Sequence, residues 1–409
     1  MPIDVIFIEP SFPLNQREFV RALHSVGARV TGIGERPKES LGDDLRHWLT
    51  HYEQIGNVTD DAQVERAVRF VQSRVQVDRL EAVVEAHMMT AARIREKCGI
   101  PGTSVKTTYL CRDKPSMKEA LRAAGVPCAQ SLGSGDVAEI RDFARRVGYP
   151  LIVKPRDGAG ASGTSRVDDD SGLERALTES GVRNGRSVAV EEFIEGHEAF
   201  CDTLSINGQI AHTFITHYYP NVLEAMRTRW ISPQFVSTNR VDSAPAYTEV
   251  REMAQKVITA LGIGTSATHM EWFVGPKGLK FSEIGCRPPG VRAWDLYAVG
   301  NDFDIYREWA MAVVHGKTSQ RLSRRLAAGV IALRPECDGT IVGYDGLDEV
   351  HHRFGKWFID EYLPPPGTRT QPVDAGFMAN AWMRLQHPDY DTLRGMLDAI
   401  GTIAKVRAR

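Results

Sequence analysis

Two glutamates in a hairpin pattern are the first residues of this 409-residue chain whose type and spacing suggest chemistry. Glu271 lies in Thr268-His269-Met270-Glu271-Trp272-Phe273-Val274, and Glu283 in Leu279-Lys280-Phe281-Ser282-Glu283-Ile284. Between them, Pro276 suits the first central position of a type I turn, and Gly278 suits the left-handed residue of a G1 bulge. A three-residue loop pairs Gly275 with Leu279 and sets Glu271 directly opposite Glu283. A two-residue turn would put them on opposite faces. Like charges across a strand pair destabilise it, and a divalent cation reverses that penalty. Mg²⁺ accepts one or two protein carboxylates together with phosphate oxygens. A solvated face is the plain alternative, and Trp272, Phe273 and Phe281 speak against it. Gly285-Cys286-Arg287-Pro288-Pro289-Gly290 then pins Arg287 beside Glu283. Its guanidinium could grip a carboxylate or acyl-phosphate, or bridge to the two glutamates.

A second stretch with chemical content is Lys154-Pro155-Arg156-Asp157-Gly158-Ala159-Gly160-Ala161-Ser162-Gly163-Thr164. A strand ends in lysine, and a loop with three glycines and two hydroxyls follows. Glycines let backbone N–H groups approach phosphate oxygens closely, and lysine adds a point charge. The G-x-G-x-x-G spelling is not a dinucleotide fingerprint, because Ser165-Arg166-Val167 reads as a strand where a helix should open. A Walker loop fails too: Gly316-Lys317-Thr318 is preceded by Met311 where glycine is needed. A surface hairpin is the remaining plain reading.

These segments need elements to position them. Ile3–Ile8, Ala28–Ile33 and Leu80–Val84 read as strands alternating with helical stripes, which predicts a parallel, helix-covered sheet. Stripes at 117–124 and 140–147 predict two helices. Strands follow at Leu151–Lys154, Val188–Glu191, Ala199–Ile206 and Gln209–Phe214, with Asn207-Gly208 as a tight turn. A helix over 250–261, a hairpin over 267–283 and a helix at 305–313 come next. A further α/β segment runs from about 329. This order, α/β then α+β, argues against one doubly wound sheet. His87 closes the third parallel strand, where such sheets place ligands. His269 shares the Glu271 face. His217, Trp230 and Arg292 are candidates for substrate contact, with surface packing as the plain alternative.

Together the motifs resemble the ATP-grasp superfamily, and within it the carboxylate–amine ligases, including L-amino-acid ligases. Arg112-Asp113-Lys114-Pro115-Ser116-Met117-Lys118 is similar to that family's first phosphate-lysine element, and Tyr149–Pro155 to the strand carrying the second, Lys154. The resemblance implies that Gly160, Ser162 and Gly163 belong to a loop closing over phosphates. It implies that Glu191, with backbone groups of Glu192 and Ile194, holds the base, and that Glu198 holds the ribose. Glu271 and Glu283 take the place of the metal ligands, and Arg287 that of the substrate arginine. The family often has Asn where Gly285 stands. The implied fold is an ATP-grasp fold in four parts: an N-terminal α/β domain (1–104), a small ATP-grasp subdomain (105–188), a large one (189–325) and a C-terminal α/β lid region (326–409). The implied reaction joins a carboxylate and an amine, amino acids foremost, through an acyl-phosphate. It uses ATP and Mg²⁺ (or Mn²⁺) and releases ADP and phosphate. The alternatives are an ATP-grasp enzyme with another acceptor, carboxylase-like, and a non-catalytic ATP-binding protein of the same fold.

Composition narrows the partners. Lys plus Arg is 50 against 52 Asp plus Glu, so no net field draws the chain to nucleic acid or anionic membrane. No apolar run approaches the roughly 18 residues of a membrane span, and the N-terminus lacks a secretory signal. Six scattered cysteines without Cys-x-x-Cys predict neither disulfides nor a zinc site. The expectation is a cytoplasmic protein with small-molecule substrates and no nucleic-acid or membrane partner, compatible with a homodimer.

Overall fold

The computed structural model describes residues 2–156 and 163–409. Its first sheet is parallel: β1 (Asp4–Ile8), β2 (Arg29–Gly34), β3 (His51–Gln54) and β4 (Arg79–Glu81), in the order β3-β2-β1-β4. A continuous apolar run builds β1, and Val5, Ile6, Phe7 and Ile8 are all buried between helices on both faces. Two expectations need correction. β3 is an additional strand, polar apart from Tyr52, so it carries no apolar signal. The strand foreseen to Val84 stops at Glu81, and Glu85–His87 forms a 3-10 turn, so His87 lies past the strand end.

A small antiparallel sheet follows, ordered β5-β8-β6-β7, from β5 (Ser131–Ser134), β6 (Leu151–Pro155), β7 (Ser165–Val167) and β8 (Val188–Glu192). Because β8 pairs with β5 and β6, residue 188 falls inside a strand of this sheet. The large sheet has eight strands. It takes in β9 (His197–Ile206), β10 (Gln209–Tyr219), β11 (Gln234–Ser237), β12 (Ser266–Gly275), β13 (Gly278–Gly285), β14 (Ala327–Leu333), β16 (Phe358–Tyr362) and β17 (Ala381–His387). Their order is β13-β12-β9-β10-β11-β14-β17-β16. β15 (Ile341–Asp345) and β18 (Lys405–Ala408) pair separately. The segment after residue 326 extends the large sheet through the β11–β14 ladder. The β9–β10 turn has Asn207 and Gly208 both at positive φ, as the Asn-Gly signal predicts.

One apolar core runs from the first sheet to the large one. Phe7 and Phe19 pack against Trp294, Tyr306 and Trp309, with Phe19 5.1 Å from the Trp309 ring, edge-on. Among the described residues, no helix is long and apolar enough to cross a membrane.

Candidate active site

A cavity of about 500 Å³ opens between the small and large sheets. Both walls follow from strand alternation, which aims every second side chain at the gap. Lys154 near the end of β6, Glu191 on β8, and Lys114 and Lys118 on the helix Lys114–Ala123 form one side. Asp113 caps that helix by accepting the Ser116 N–H at 3.0 Å, so Lys114 begins it. Glu198, Glu271, Phe273 and Glu283 form the other side. The 220–233 connector roofs the space with Val222, Leu223 and Arg227.

Glu271 and Glu283 are paired directly across β12 and β13. The expected pair forms, but by another route. Gly275 pairs with Gly278 across a two-residue turn, and the register shifts at Glu271/Trp272, leaving Ser282 as the extra residue. The bulge restores the face that such a turn would otherwise invert. Gly278 is at φ +76, as the turn required.

Buried charges meet in this space. Lys118 lies 2.6 Å and Lys154 2.9 Å from the Glu191 carboxylate, and Lys114 lies 3.3 Å from Glu283. Lys154 also reaches Glu283 at 3.9 Å. Burial pushes the Glu191 carboxyl up, but Lys118 and Lys154 outweigh it and hold it at about 2. Burial lowers Lys118 to about 8 despite Glu191. Burial would lower Lys154 too, yet Glu191 and Glu283 raise it. Glu198 accepts the Val222 N–H at 2.6 Å, and burial together with the Glu271 charge lifts it to about 8. Behind Glu271, His269 donates to Asp202 at 2.7 Å. Burial opposes its charge, but Asp202 raises it to about 9, so it is an imidazolium at neutral pH, 3.6 Å from Glu271.

The structure thus brings Lys114, Lys154, Glu191, Glu192, Ile194, Glu198, Glu271 and Glu283 to one cavity. Gly163 lies against Pro155 at its edge, while Gly160 and Ser162 fall outside the described residues. Arg287 does not line the cavity. Its Nε bonds Glu85 at 2.7 Å, and Arg112 takes the other Glu85 oxygen at 2.8 Å. Its ionic partner among the described residues is Glu85, in the turn after β4, and not the two glutamates. A Cβ at Gly285 would stand 3.5 Å from Arg287 Cγ and 3.7 Å from Glu85 Oε2, so this ion pair lies where a side chain at 285 would point.

His217 is no cavity residue. It is hydrogen-bonded to His197 at 2.9 Å and Tyr247 at 2.8 Å, and burial lowers it to about 3. Trp230 is 86% exposed, and Arg292 pairs with Asp295. Sequence reasoning passed over Lys118 and Arg227. Lys118 sits four residues after Lys114, one helical turn on, which is a signal for a shared face. Arg227 spans to the Thr164 carbonyl at 2.6 Å, a contact between sheets that spacing does not reveal. Among the described residues, no group of three or more His, Cys, Asp or Glu side chains could hold a metal ion.

Residues 119–298 match the model of the ATP-grasp domain. A 250-residue stretch is 28% identical to the L-arginine-specific L-amino acid ligase of Bacillus subtilis, covering 60% of this chain and 59% of that relative's length. The formate-dependent phosphoribosylglycinamide formyltransferase of Rhodococcus jostii is 25% identical over 81% of this chain and 80% of its own. The solved L-amino acid ligase of Bacillus licheniformis superposes with a TM-score of 0.77 at 18% identity, over 100% of this chain and 99% of that one, a likeness of fold.

Proposed function

We propose that this chain, whose residues 119–298 match the model of the ATP-grasp domain, is an ADP-forming carboxylate–amine ligase, acting on amino acids. One observation carries the reading: three ammonium groups face an opposed carboxylate pair across one cavity between two sheets. Such a cavity fits a nucleoside triphosphate with a divalent cation. Lys114, Lys118 and Lys154 would lie along the phosphates. Ile152, Phe193, Ile194 and Leu223 supply apolar walls for a base. Glu271 and Glu283 would hold Mg²⁺ or Mn²⁺, whose charge would offset that of the phosphates.

The substrate carboxylate attacks the terminal phosphorus, ADP departs, and an acyl-phosphate results. The amine then attacks the acyl carbon, phosphate leaves, and the nitrogen gives up a proton. The chain's own work is alignment and charge neutralisation. Arg287 stands outside this cavity, held by Glu85, and would meet the carboxyl or acyl-phosphate from the side of the N-terminal unit. Four parts cooperate in this scheme: the 1–104 unit on the substrate side, the small and large subdomains around the nucleotide, and the 326–409 segment bracing the large sheet. The similarity to an L-amino acid ligase of Bacillus subtilis supports amino acids as substrates.

The test is to incubate purified protein with ATP, Mg²⁺ and an amino-acid panel, following ADP and phosphate. Release should rise only with the correct pair, hydroxylamine should trap a hydroxamate, and Arg287→Ala should lose trapping while still binding ATP. Stoichiometric AMP overturns the mechanism. Tight ATP binding without turnover across the panel favours a non-catalytic protein.

A further inference from the structure

We infer that His269, anchored in the core by Asp202 and Tyr297, is a positioning residue that fixes the direction of the Glu271 carboxylate for a divalent cation. The inference rests on the proposed metal role of Glu271 and goes beyond it, to side chains behind the cavity wall. His269 and Asp202 are paired directly across β12 and β9, and strand alternation puts His269 on the same face as Glu271. Asp202 accepts the His269 Nδ1–H at 2.7 Å on one oxygen and the Tyr297 hydroxyl at 2.5 Å on the other. The Tyr297 hydroxyl lies 3.2 Å from that of Thr216 on β10. The side chains therefore run in series, from Thr216 through Tyr297, Asp202 and His269 to Glu271 at the cavity wall.

This series sits in apolar packing. Thr216 and Tyr297 are fully buried, and Asp202 is 1% exposed. The Phe214 ring stacks on Tyr297 at 4.3 Å, and the Phe200 ring meets His269 edge-on at 4.8 Å. A buried ionic pair contributes little net stability beside a well-packed apolar alternative. What the series adds is direction. An ionised carboxylate only accepts, so Nδ1 carries the proton of its bond to Asp202, and Nε2 is the nitrogen that faces Glu271, with Oε1 3.6 Å away. Gly285 is the residue directly across β13 from His269, so it sets no side chain between the imidazole and Glu271.

The two glutamates are oriented by different means. Glu283 pairs with Lys114 at 3.3 Å and Lys154 at 3.9 Å, the ammonium groups assigned above to phosphate. Phosphates would draw those lysines away from Glu283. Among the described residues, His269 is the basic side chain paired with Glu271, and its Nδ1 edge is tied into the core. The direction of Glu271 is thus built in before a nucleotide enters. Groups that orient the ligands of a metal commonly account for about 10–100-fold in metal affinity.

Mn²⁺ titration followed by electron paramagnetic resonance, on the full chain saturated with a non-hydrolysable ATP analogue, reads the effect without turnover. The Asn amide reproduces the Nδ1–H donor of histidine, and the longer Gln amide reproduces the Nε2 position. His269→Asn should keep the bond to Asp202 and the melting temperature, yet weaken Mn²⁺ binding at least about tenfold. His269→Gln, which reaches Glu271, should restore part of that loss. Tyr297→Phe, remote from the cavity, should weaken Mn²⁺ binding in the same direction and serves if His269→Asn does not fold. Affinity for the analogue in EDTA should match the wild type in all three. Wild-type Mn²⁺ affinity in His269→Asn, or equal losses of Mn²⁺ and metal-free nucleotide binding, would overturn the positioning role. So would a wild-type chain that takes up no Mn²⁺ beside the analogue. Amino-acid-dependent ADP release by the wild type tests the ligase reading separately, and its absence leaves the Mn²⁺ result standing.

Discussion

The carboxylate of Glu191 lies between two buried ammonium groups, so three charges depend on one another. Removing the central one strands Lys118 and Lys154. Glu191→Gln should therefore cost about 3–5 kcal/mol at neutral pH, the range for breaking a buried pair, read by urea unfolding. The pH profile has a definite sign. Glu191 titrates at about 2 when folded against an ordinary 4.5, so its stabilisation is present above pH 4.5 and fades as pH falls toward 2. Lys118 acts oppositely. Its folded value of about 8 lies below 10.5, so its burial penalty disappears as pH rises between those values. The Gln variant should show a shallower loss of stability below pH 4.5 than the wild type. Lys154→Met should lower both the melting temperature and nucleotide affinity, because Lys154 balances Glu191 and also faces the cavity. Unchanged ATP affinity by calorimetry would remove Lys154 from the phosphate site.

At the scale of elements, the Asn221 side chain is one of the ties between the 220–233 connector and the rim of the cavity. Asn221 accepts the Glu198 N–H at 2.9 Å and donates to the Gly196 carbonyl at 2.8 Å, while the Val222 N–H goes to the Glu198 carboxylate. Asn221→Ala should loosen the roof more than the fold. A net loss of about 1 kcal/mol per neutral hydrogen bond corresponds to roughly fivefold weaker nucleotide binding for a single bond. The melting temperature should shift by only a few degrees. Hydrogen exchange of the Val222 amide is the direct measurement, and protection equal to the wild type would show that Asn221 does not fasten the connector. The bulge at Ser282 has a similar positional role, because it reconciles a tight turn with two glutamates on one face.

Over the whole molecule, the N-terminal sheet is joined to the large one by core rather than by a linker. Phe7 and Phe19 share their packing with Trp294 and Trp309, and Trp309 is 2% exposed. Glu85 adds a polar tie through Arg112 and Arg287. Trp309→Ala should cost about 3–5 kcal/mol, as large aromatic truncations in cores do. Tyrosine fluorescence and far-UV circular dichroism should still report one unfolding transition, displaced to lower urea. Two separated transitions in the wild type would show that the N-terminal unit folds on its own.

Local chemistry carried much of this into the sequence. Apolar runs between helical stripes announced β1 and β2, Asn207-Gly208 announced the β9–β10 turn, and lysines, glycines and glutamates in family order announced the likeness to the ATP-grasp domain model over residues 119–298. Such signals are legible because they depend on residues near one another along the chain. β3 was not, since a polar edge strand has no apolar period. The bulge was not, because only the competition between turn geometry and the buried faces of Trp272 and Phe281 settles where the extra residue goes. The Glu85–Arg287 pair joins positions 202 residues apart, and Lys118 meets Glu191 across two different elements. The extension of the large sheet beyond residue 326 likewise rests on backbone pairing between distant strands. Which charge neutralises which is decided by burial and distance, and those exist only once the sheets have packed.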